Sequence, residues 1–186
     1  SNHDCDAWFI EVGLGGRLDA TNIIESSVSV LTSIAMDHEE WLGDSIDKIA
    51  KEKVGIAKRN RPLIFGDVVA VDVIQAGSLE KGSELRKKGE NFNGRIDQGH
   101  YSFNGVHQSI EEIVLPKSWG DGEIDNLTTA LAAMEANEQF FPTHDLLQEI
   151  IDEFILPGRF ELLDLHHRWI LDVAHNPSAA ENLRQR

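Results

Sequence analysis

Cysteine is almost absent from this 186-residue chain, which contains Cys5 alone. One cysteine cannot form a disulfide within the chain, and it excludes zinc fingers and Cys-x-x-Cys redox motifs, which need at least two. Proteins of the reducing cytosol typically lack disulfides, so we predict a cytoplasmic protein.

Long apolar runs are also missing, although 41% of the residues are hydrophobic. No stretch approaches the roughly 18 consecutive apolar residues of a membrane span, and the first residues lack the basic and then apolar pattern of a signal peptide. The composition is that of a globular protein that buries a core.

Positive charge is scarce, because 17 Lys and Arg residues face 32 Asp and Glu residues and leave a formal net charge of −15. This balance argues against nucleic acid or an anionic membrane as a partner. An anionic nucleotide would need a metal ion or local arginines. Solubility alone also accounts for the acidity.

Two apolar runs, residues 8–12 and 28–34, are predicted to be strands of a parallel α/β sheet. Such strands are buried on both faces, and ligands bind beyond their carboxyl ends. Each run delivers a side chain that can bind metal near that end, Glu11 in the first and His38 after the second. Two alternatives remain open: Glu11 pairs with Arg17, and His38 flanks or caps a helix.

A helix is predicted over residues 45–58, where a 3.6-residue period forms one apolar face from Ile46, Ile49, Ala50, Val54 and Ala57. Lys53 falls in the middle of this face. An ammonium among apolar neighbours loses hydration, which favours the neutral, reactive amine. Alternatively, Lys53 covers apolar surface and returns its ammonium to water. The other lysines of this segment, Lys48, Lys51 and Lys58, are predicted to be solvated.

The strand and helix alternation continues with a strand at 63–66 and a helix at 68–79. Residues 84–115 predict an antiparallel meander, with Asn93-Gly94 and Asn104-Gly105 as hairpin turns. A helix is predicted over 124–140 with Asn126 in its first turn, where the side chain would cap the helix or bind a ligand. Thr143 opens another amphipathic helix.

Leu156-Pro157-Gly158-Arg159 suits a hinge, because proline fixes φ and glycine permits unusual φ values. Arg159 is either a surface residue or a phosphate ligand, to which a guanidinium is geometrically matched. Two strands are predicted at 160–165 and 169–173, and Asn176-Pro177 begins a helix. Asp172 and His175 would then lie at the ligand-binding end of the second strand.

Five motifs occur in order: EVGLGGRLDATN, TSIAMDHEEWLG, EKVGIAK, LPGRFE and LDVAHNP. Together they resemble the folylpolyglutamate synthase and dihydrofolate synthase branch of the Mur ligase superfamily. The resemblance spans nearly the whole chain. It implies a P-loop-NTPase-like α/β fold, with a mostly parallel sheet flanked by helices, a small antiparallel meander and the beginning of a second α/β domain.

The resemblance also implies a domain organisation. Residues 1–156 would form the central ATP-binding domain without its P-loop section, which in the family precedes the position of His3, and residues 157–186 the hinge and start of a glutamate-ligase domain. No G-x-x-x-x-G-K-[ST] motif occurs in the sequence. On this interpretation the chain is a fragment without ligase activity of its own, and the complete protein is a monomer.

The activity implied is ATP-dependent addition of L-glutamate to dihydropteroate, to folates or to both. By this resemblance Glu11 and His38 bind Mg²⁺ or Mn²⁺, Lys53 becomes a carbamate and holds a second metal ion, and His38 and Lys53 are catalytic. Leu18, Asp19 and Ala20 would contact the pterin, although Asp19 and Asn22 would equally form a local turn. ATP would be held by Asn126, Arg159, Asp172 and His175. A metal-dependent phosphohydrolase and a non-catalytic α/β binding module are the alternatives.

Overall fold

The computed structural model describes residues 5–164, 166–174 and 177–184. Within these ranges no helix combines the length and apolar character that crossing a membrane requires.

A three-stranded parallel sheet carries the first half of the chain. Its strands lie in the order β1 (Ser29–Leu31), β2 (Pro62–Phe65) and β3 (Glu84–Lys87). The connecting helices are α1 (Glu39–Leu42), α2 (Ile46–Lys53) and α3 (Val71–Lys81). The parallel sheet with flanking helices is confirmed, but β3 belongs to this sheet and not to the predicted meander. Its Leu85 packs against the core of the parallel sheet, which explains the pairing.

Residues 8–12 do not form the predicted strand. A strand needs a hydrogen-bonded neighbour, and no strand among the described residues pairs with this segment. Trp8 is 72% exposed and Phe9 is 95% exposed, so the apolar side chains that suggested a buried strand lie at the surface.

The predicted meander is confirmed over a shorter range. It consists of β4 (Asn93–Asp97), β5 (His100–Asn104) and β6 (Ser109–Val114), paired antiparallel. Asn93-Gly94 is not a turn as predicted, because it begins β4. The first turn instead uses Gln98 and Gly99, whose φ values of 50° and 86° are those of a primed hairpin turn. Asn104-Gly105 does lie where β5 ends.

Helix α4 (Asp121–Asn137) lies between the two sheets, and α5 (His144–Glu153) packs on β6. Both helices share one core with Ile64 of the parallel sheet and Tyr101 and Phe103 of the meander. Thr143 caps α5 as predicted, since its hydroxyl accepts the Leu146 N–H. On the other face of the parallel sheet, Ile49 and Ala50 of α2 are fully buried with Ile74 of α3.

The last described elements are an antiparallel pair and a helix: β7 (Glu161–Asp164), β8 (Arg168–Leu171) and α6 (Pro177–Arg184). Both predicted strands are therefore present, each somewhat shorter than expected. The predicted N-cap of α6, Asn176, lies outside the described residues.

Candidate metal and substrate site

A cavity of about 410 Å³ opens at the carboxyl end of β1, where a parallel sheet binds its ligands. Its walls come from residues 10–15, from the segment 30–38 and from α2. Glu11, His38 and Lys53 all line it. The structure thus brings together the three side chains that the sequence assigned to metal binding, although Glu11 does not come from a strand.

Lys53 is the last residue of α2 and is partly buried beside Ile49 and Val54. Ser45 caps the helix, because its hydroxyl accepts the Lys48 N–H. The apolar face predicted for this segment is present, but the α-helix stops at Lys53 and a 3-10 turn, Val54–Ile56, follows it. Within the described residues the Lys53 ammonium forms no hydrogen bond or ion pair, so it is available to the cavity.

His38 sits in a strained backbone conformation immediately before α1. Its φ is 50°, in the left-handed region that non-glycine residues rarely adopt. Its N–H donates to the Asp37 carboxylate at 2.8 Å, and its carbonyl accepts the N–H groups of Trp41 and Leu42 at 2.9 and 3.0 Å. The alternative that His38 flanks a helix is therefore correct, and His38 also lines the cavity.

Glu11 is exposed, and it is not paired with Arg17 as the alternative proposed. Arg17 binds Glu52 instead, with an Nη2 to Oε1 distance of 3.0 Å. No described residue forms a hydrogen bond or ion pair with the Glu11 carboxylate, because the loop turns Arg17 toward α2. Its acceptor oxygens therefore remain open to a ligand.

These residues fit a magnesium or manganese ion. Mg²⁺ prefers oxygen ligands and retains several waters, so a carboxylate and an imidazole suffice when phosphates and water complete the shell. Within the described part of the chain, no three His, Cys, Asp or Glu side chains cluster closely enough to hold a metal ion alone. A lysine carbamate would add the missing anionic oxygens.

Asp19 organises the loop that follows Glu11. Its carboxylate accepts the N–H groups of Gly13, Leu14 and Thr21 and the Thr21 hydroxyl, at 2.6 to 3.2 Å. The Thr21 hydroxyl and then the Thr21 and Leu14 amides lower the pKa of Asp19 to about 2, because they stabilise its charged form. The alternative of a local turn is thus correct for Asp19, which also caps the 3-10 turn Ala20–Ile23. Leu18, 78% exposed, and Ala20 present the outer surface of this loop.

Of the residues assigned to ATP, Asn126, Arg159 and Asp172 do not line this cavity. Asn126 is exposed in the second turn of α4; neither the predicted first turn nor the cap is correct, since the helix begins at Asp121 and Gly120 is its N-cap. Arg159 lines a second cavity of about 210 Å³ together with Trp119 and Glu123 at the start of α4. Asn126 is not among its lining residues.

Asp172 is brought next to Arg159 through the backbone. Its carboxylate accepts the N–H of Phe160 at 2.8 Å and the N–H of Ala174 at 2.8 Å. These hydrogen bonds place the backbone around Arg159 beside the end of β8. His175 lies outside the described residues.

Sequence reasoning missed three residues around the site. Asp37 lines the cavity beside His38. Its place directly before a candidate metal ligand could have indicated this from the sequence. Glu52 binds Arg17, which lies 35 residues earlier in the chain. No local sequence pattern indicates a pair at that separation. Lys58, predicted to be solvated, has a side chain only 11% exposed, and its ammonium donates to the Asn22 carbonyl at 2.7 Å.

The sequence of this chain is similar to those of known enzymes. No protein-family model matches the chain. The chain is 40% identical over 181 residues to the dihydrofolate synthase/folylpolyglutamate synthase of Escherichia coli K12, covering 97% of this chain and 42% of that protein. It is 31% identical to the folylpolyglutamate synthase of Lacticaseibacillus casei, covering 96% of this chain and 44% of that protein.

Solved structures agree with the sequence comparison. The structure of E. coli FolC in complex with DHPP and ADP matches with a TM-score of 0.84 and 40% identity, over 94% of this chain and 41% of that one. A Yersinia pestis bifunctional folylpolyglutamate synthase/dihydrofolate synthase complexed with AMPPNP and Mn ion matches with a TM-score of 0.81 and 34% identity, over 94% of this chain and 41% of that one. The chain thus spans less than half the length of these relatives and has their fold in the matching part. Over this matched part the chain is homologous to the dihydrofolate synthase/folylpolyglutamate synthases.

Proposed function

We propose that this chain supplies the metal-holding part of an ATP-dependent amide ligase that adds L-glutamate to dihydropteroate, to folates or to both. One observation carries the proposal: Glu11, His38 and Lys53 converge on a single cavity at the ligand-binding edge of the parallel sheet. The relatives extend well beyond the matched segment, so the complete reaction is inferred from the family.

In this reaction a substrate carboxylate attacks the γ-phosphate of ATP and forms an acyl phosphate with release of ADP. The glutamate amine then displaces phosphate and forms the amide. Such chemistry is mostly positioning and charge neutralisation. A bound Mg²⁺ or Mn²⁺ would neutralise phosphate charge beside Glu11 and His38.

Lys53 would act as the neutral amine that attacks carbon dioxide. An N–C bond forms, one proton leaves, and a cationic side chain becomes an anionic carbamate. Lys53 is partly buried, and no described residue forms an ion pair with it. The carbamate oxygens would hold a second metal ion.

Leu18, Asp19 and Ala20 would form the pterin site, with distinct roles. Since the Asp19 carboxylate already accepts four hydrogen bonds, it shapes the loop, whereas the exposed Leu18 and Ala20 offer apolar contact to a planar ring.

Asn126, Arg159, Asp172 and His175 would hold ATP across a hinge between domains 1–156 and 157–186. The exposed Arg159 would meet phosphate oxygens. Closure of this hinge would bring amine and acyl phosphate together. The complete protein would be a cytoplasmic monomer that acts on small molecules and uses neither nucleic acid nor a membrane.

Metal binding tests the proposal on the 186-residue chain itself. In an electron paramagnetic resonance titration with Mn²⁺ and ATP, we expect saturable Mn²⁺ binding that Lys53→Met weakens by about tenfold or more, since even outer partners of metal ligands contribute that much. Lys51→Met, on the exposed side of α2, is the matched control and should bind as the wild type does. Absence of saturable binding, as a non-catalytic module predicts, would refute the proposal.

The reaction is tested by placing this chain in the matching segment of the E. coli relative. We expect ADP formation that depends on glutamate and a pterin-containing acid. Phosphate release without glutamate would indicate the phosphohydrolase instead, and an inactive chimera that still binds nucleotide would contradict ligase function.

A further inference from the structure

We infer that Arg17 and Glu52 are positioning residues whose ion pair fastens the substrate loop, residues 13–22, to the end of α2 and thereby sets the affinity for the pteridine ring. The inference rests on the proposed function, because it takes Leu18 and Ala20 of this loop as the pterin surface. Neither Arg17 nor Glu52 touches the metal cavity.

Three groups of Arg17 donate to Glu52. The guanidinium Nε lies 3.2 Å from both carboxylate oxygens, and Nη2 lies 3.0 Å from Oε1. The backbone N–H of Arg17 also donates to the Glu52 carbonyl at 2.9 Å. A planar guanidinium that engages both carboxylate oxygens fixes orientation as well as distance. The loop is thus tied to the residue directly before Lys53.

The loop also packs closely against the end of α2 and the 3-10 turn that follows it, where a Cβ would not fit at two glycines. A Cβ at Gly55 would lie 2.4 Å from the Arg17 Cβ and 2.7 Å from its Cα. A Cβ at Gly16 would lie 3.0 Å from the Lys53 carbonyl oxygen and 2.9 Å from that of Glu52. Such approach requires glycine at both positions. The substrate loop and the last turn of α2 therefore form one surface.

A second attachment holds the far end of the loop. The Asn22 side-chain amide donates to the Arg17 carbonyl at 3.1 Å and the Gly55 carbonyl at 3.2 Å. The nearly buried Lys58 ammonium donates to the Asn22 carbonyl at 2.7 Å. Leu18 and Ala20 lie between these two attachments. Their position relative to Lys53 is consequently set at both ends of the segment.

The ion pair has a greater bearing on the loop than on the fold. Its side chains are 49% and 25% exposed, and pairs of such exposure contribute little to global stability. Helix α2 is held independently by fully buried Ile49 and Ala50. Breaking the pair should therefore leave the fold intact and loosen the loop only near Arg17, next to the 78% exposed Leu18.

Ligand binding to the 186-residue chain tests this inference. Folic acid affinity is measured by quenching of tryptophan fluorescence, and Mn²⁺ affinity with ATP by electron paramagnetic resonance. We expect Arg17→Met and Glu52→Gln each to raise the folic acid Kd about fivefold, the effect of an ion pair of this exposure, with less than about twofold change in Mn²⁺ affinity. The charge swap, Arg17→Glu with Glu52→Arg, should recover most of the lost affinity.

Lys48→Met is the matched control, because Lys48 lies on the same helix as Glu52 and its exposed ion pair is with Asp44, before the helix begins. This substitution should change neither affinity. Single variants that bind folic acid as the wild type does would overturn the inference and leave the proposed function standing. A wild-type chain that binds no folic acid would remove the proposed pterin site, and the inference with it. Circular dichroism showing unfolded Arg17→Met and Arg17→Lys variants would also overturn it, since the pair would then hold the fold.

Discussion

Raising the pH should destabilise this protein through a single identifiable group. Tyr101, the only tyrosine of the chain, is fully buried on β5, and its hydroxyl lies 3.0 Å from the Thr128 Oγ1 of α4. Burial raises the pKa of Tyr101 from 10.0 to about 12, against the opposing effect of the Thr128 hydrogen bond. The phenol therefore keeps its proton in the folded state at a pH where the unfolded chain loses it.

The magnitude follows from this difference in pKa. A shift of two pKa units corresponds to about 2.7 kcal/mol. Since the folded pKa is the higher one, this stabilisation is fully present below pH 10, and it is lost as the pH rises from 10.0 through about 12. Tyr101→Phe should cost about 1 kcal/mol at neutral pH for the lost hydrogen bond, because Thr128 keeps its bond to the Ile124 carbonyl.

Two measurements check this expectation. Ultraviolet absorbance of tyrosinate reports Tyr101 alone, and its midpoint in the folded chain should lie near 12. Urea unfolding between roughly pH 9 and 12 should show the wild type losing about 2.3 kcal/mol more than Tyr101→Phe, because the folded phenol is then half ionised. A titration midpoint near 10, or the same pH dependence in both proteins, would refute the reasoning.

Glu135→Ala should destabilise the chain by about 3 kcal/mol in urea, because the buried carboxylate accepts three backbone N–H groups of residues 106–108; exposed Glu111→Ala is its control, and equal losses would contradict this account. Gly55→Ala should cost about 1–3 kcal/mol and weaken folic acid binding, since its Cβ would overlap Arg17; wild-type behaviour would show that the contact relaxes freely. The Asp19 carboxyl should titrate by NMR near 2, and the loop hydrogen bonds should persist above the ordinary value of 3.8 and be lost as the pH falls through about 2; a midpoint near 3.8 would contradict this.

Much of the fold was predictable because local patterns determined it. The apolar period of α2 placed Lys53 beside a buried face, and Ser45 and Thr143 marked helix starts through their hydroxyl caps. These features depend on neighbouring residues only. The position of the cavity at the carboxyl end of β1 follows the general rule for parallel sheets. Glu11 reaches this cavity from a segment that is not a strand, which the rule did not predict.

Contacts between distant residues were not predictable. Residues 8–12 have the composition of a strand, but pairing requires a partner that composition cannot supply. Lys58 was expected in solvent because only its helix face was considered, whereas a loop 36 residues earlier covers it. Glu84–Lys87 was placed in the meander for the same reason, since its parallel neighbour β2 is fixed by tertiary packing.

Helix α4 touches the parallel sheet through β1 and β2 and the meander through β4. Because both sheets pack on the same helix, loss of the helix from one sheet would also expose the core of the other. The two sheets therefore form one cooperative unit. Heating should therefore unfold both sheets in one transition. Substitutions in the meander must also preserve its packing against α4, because α4 supports β1, the strand that leads to His38.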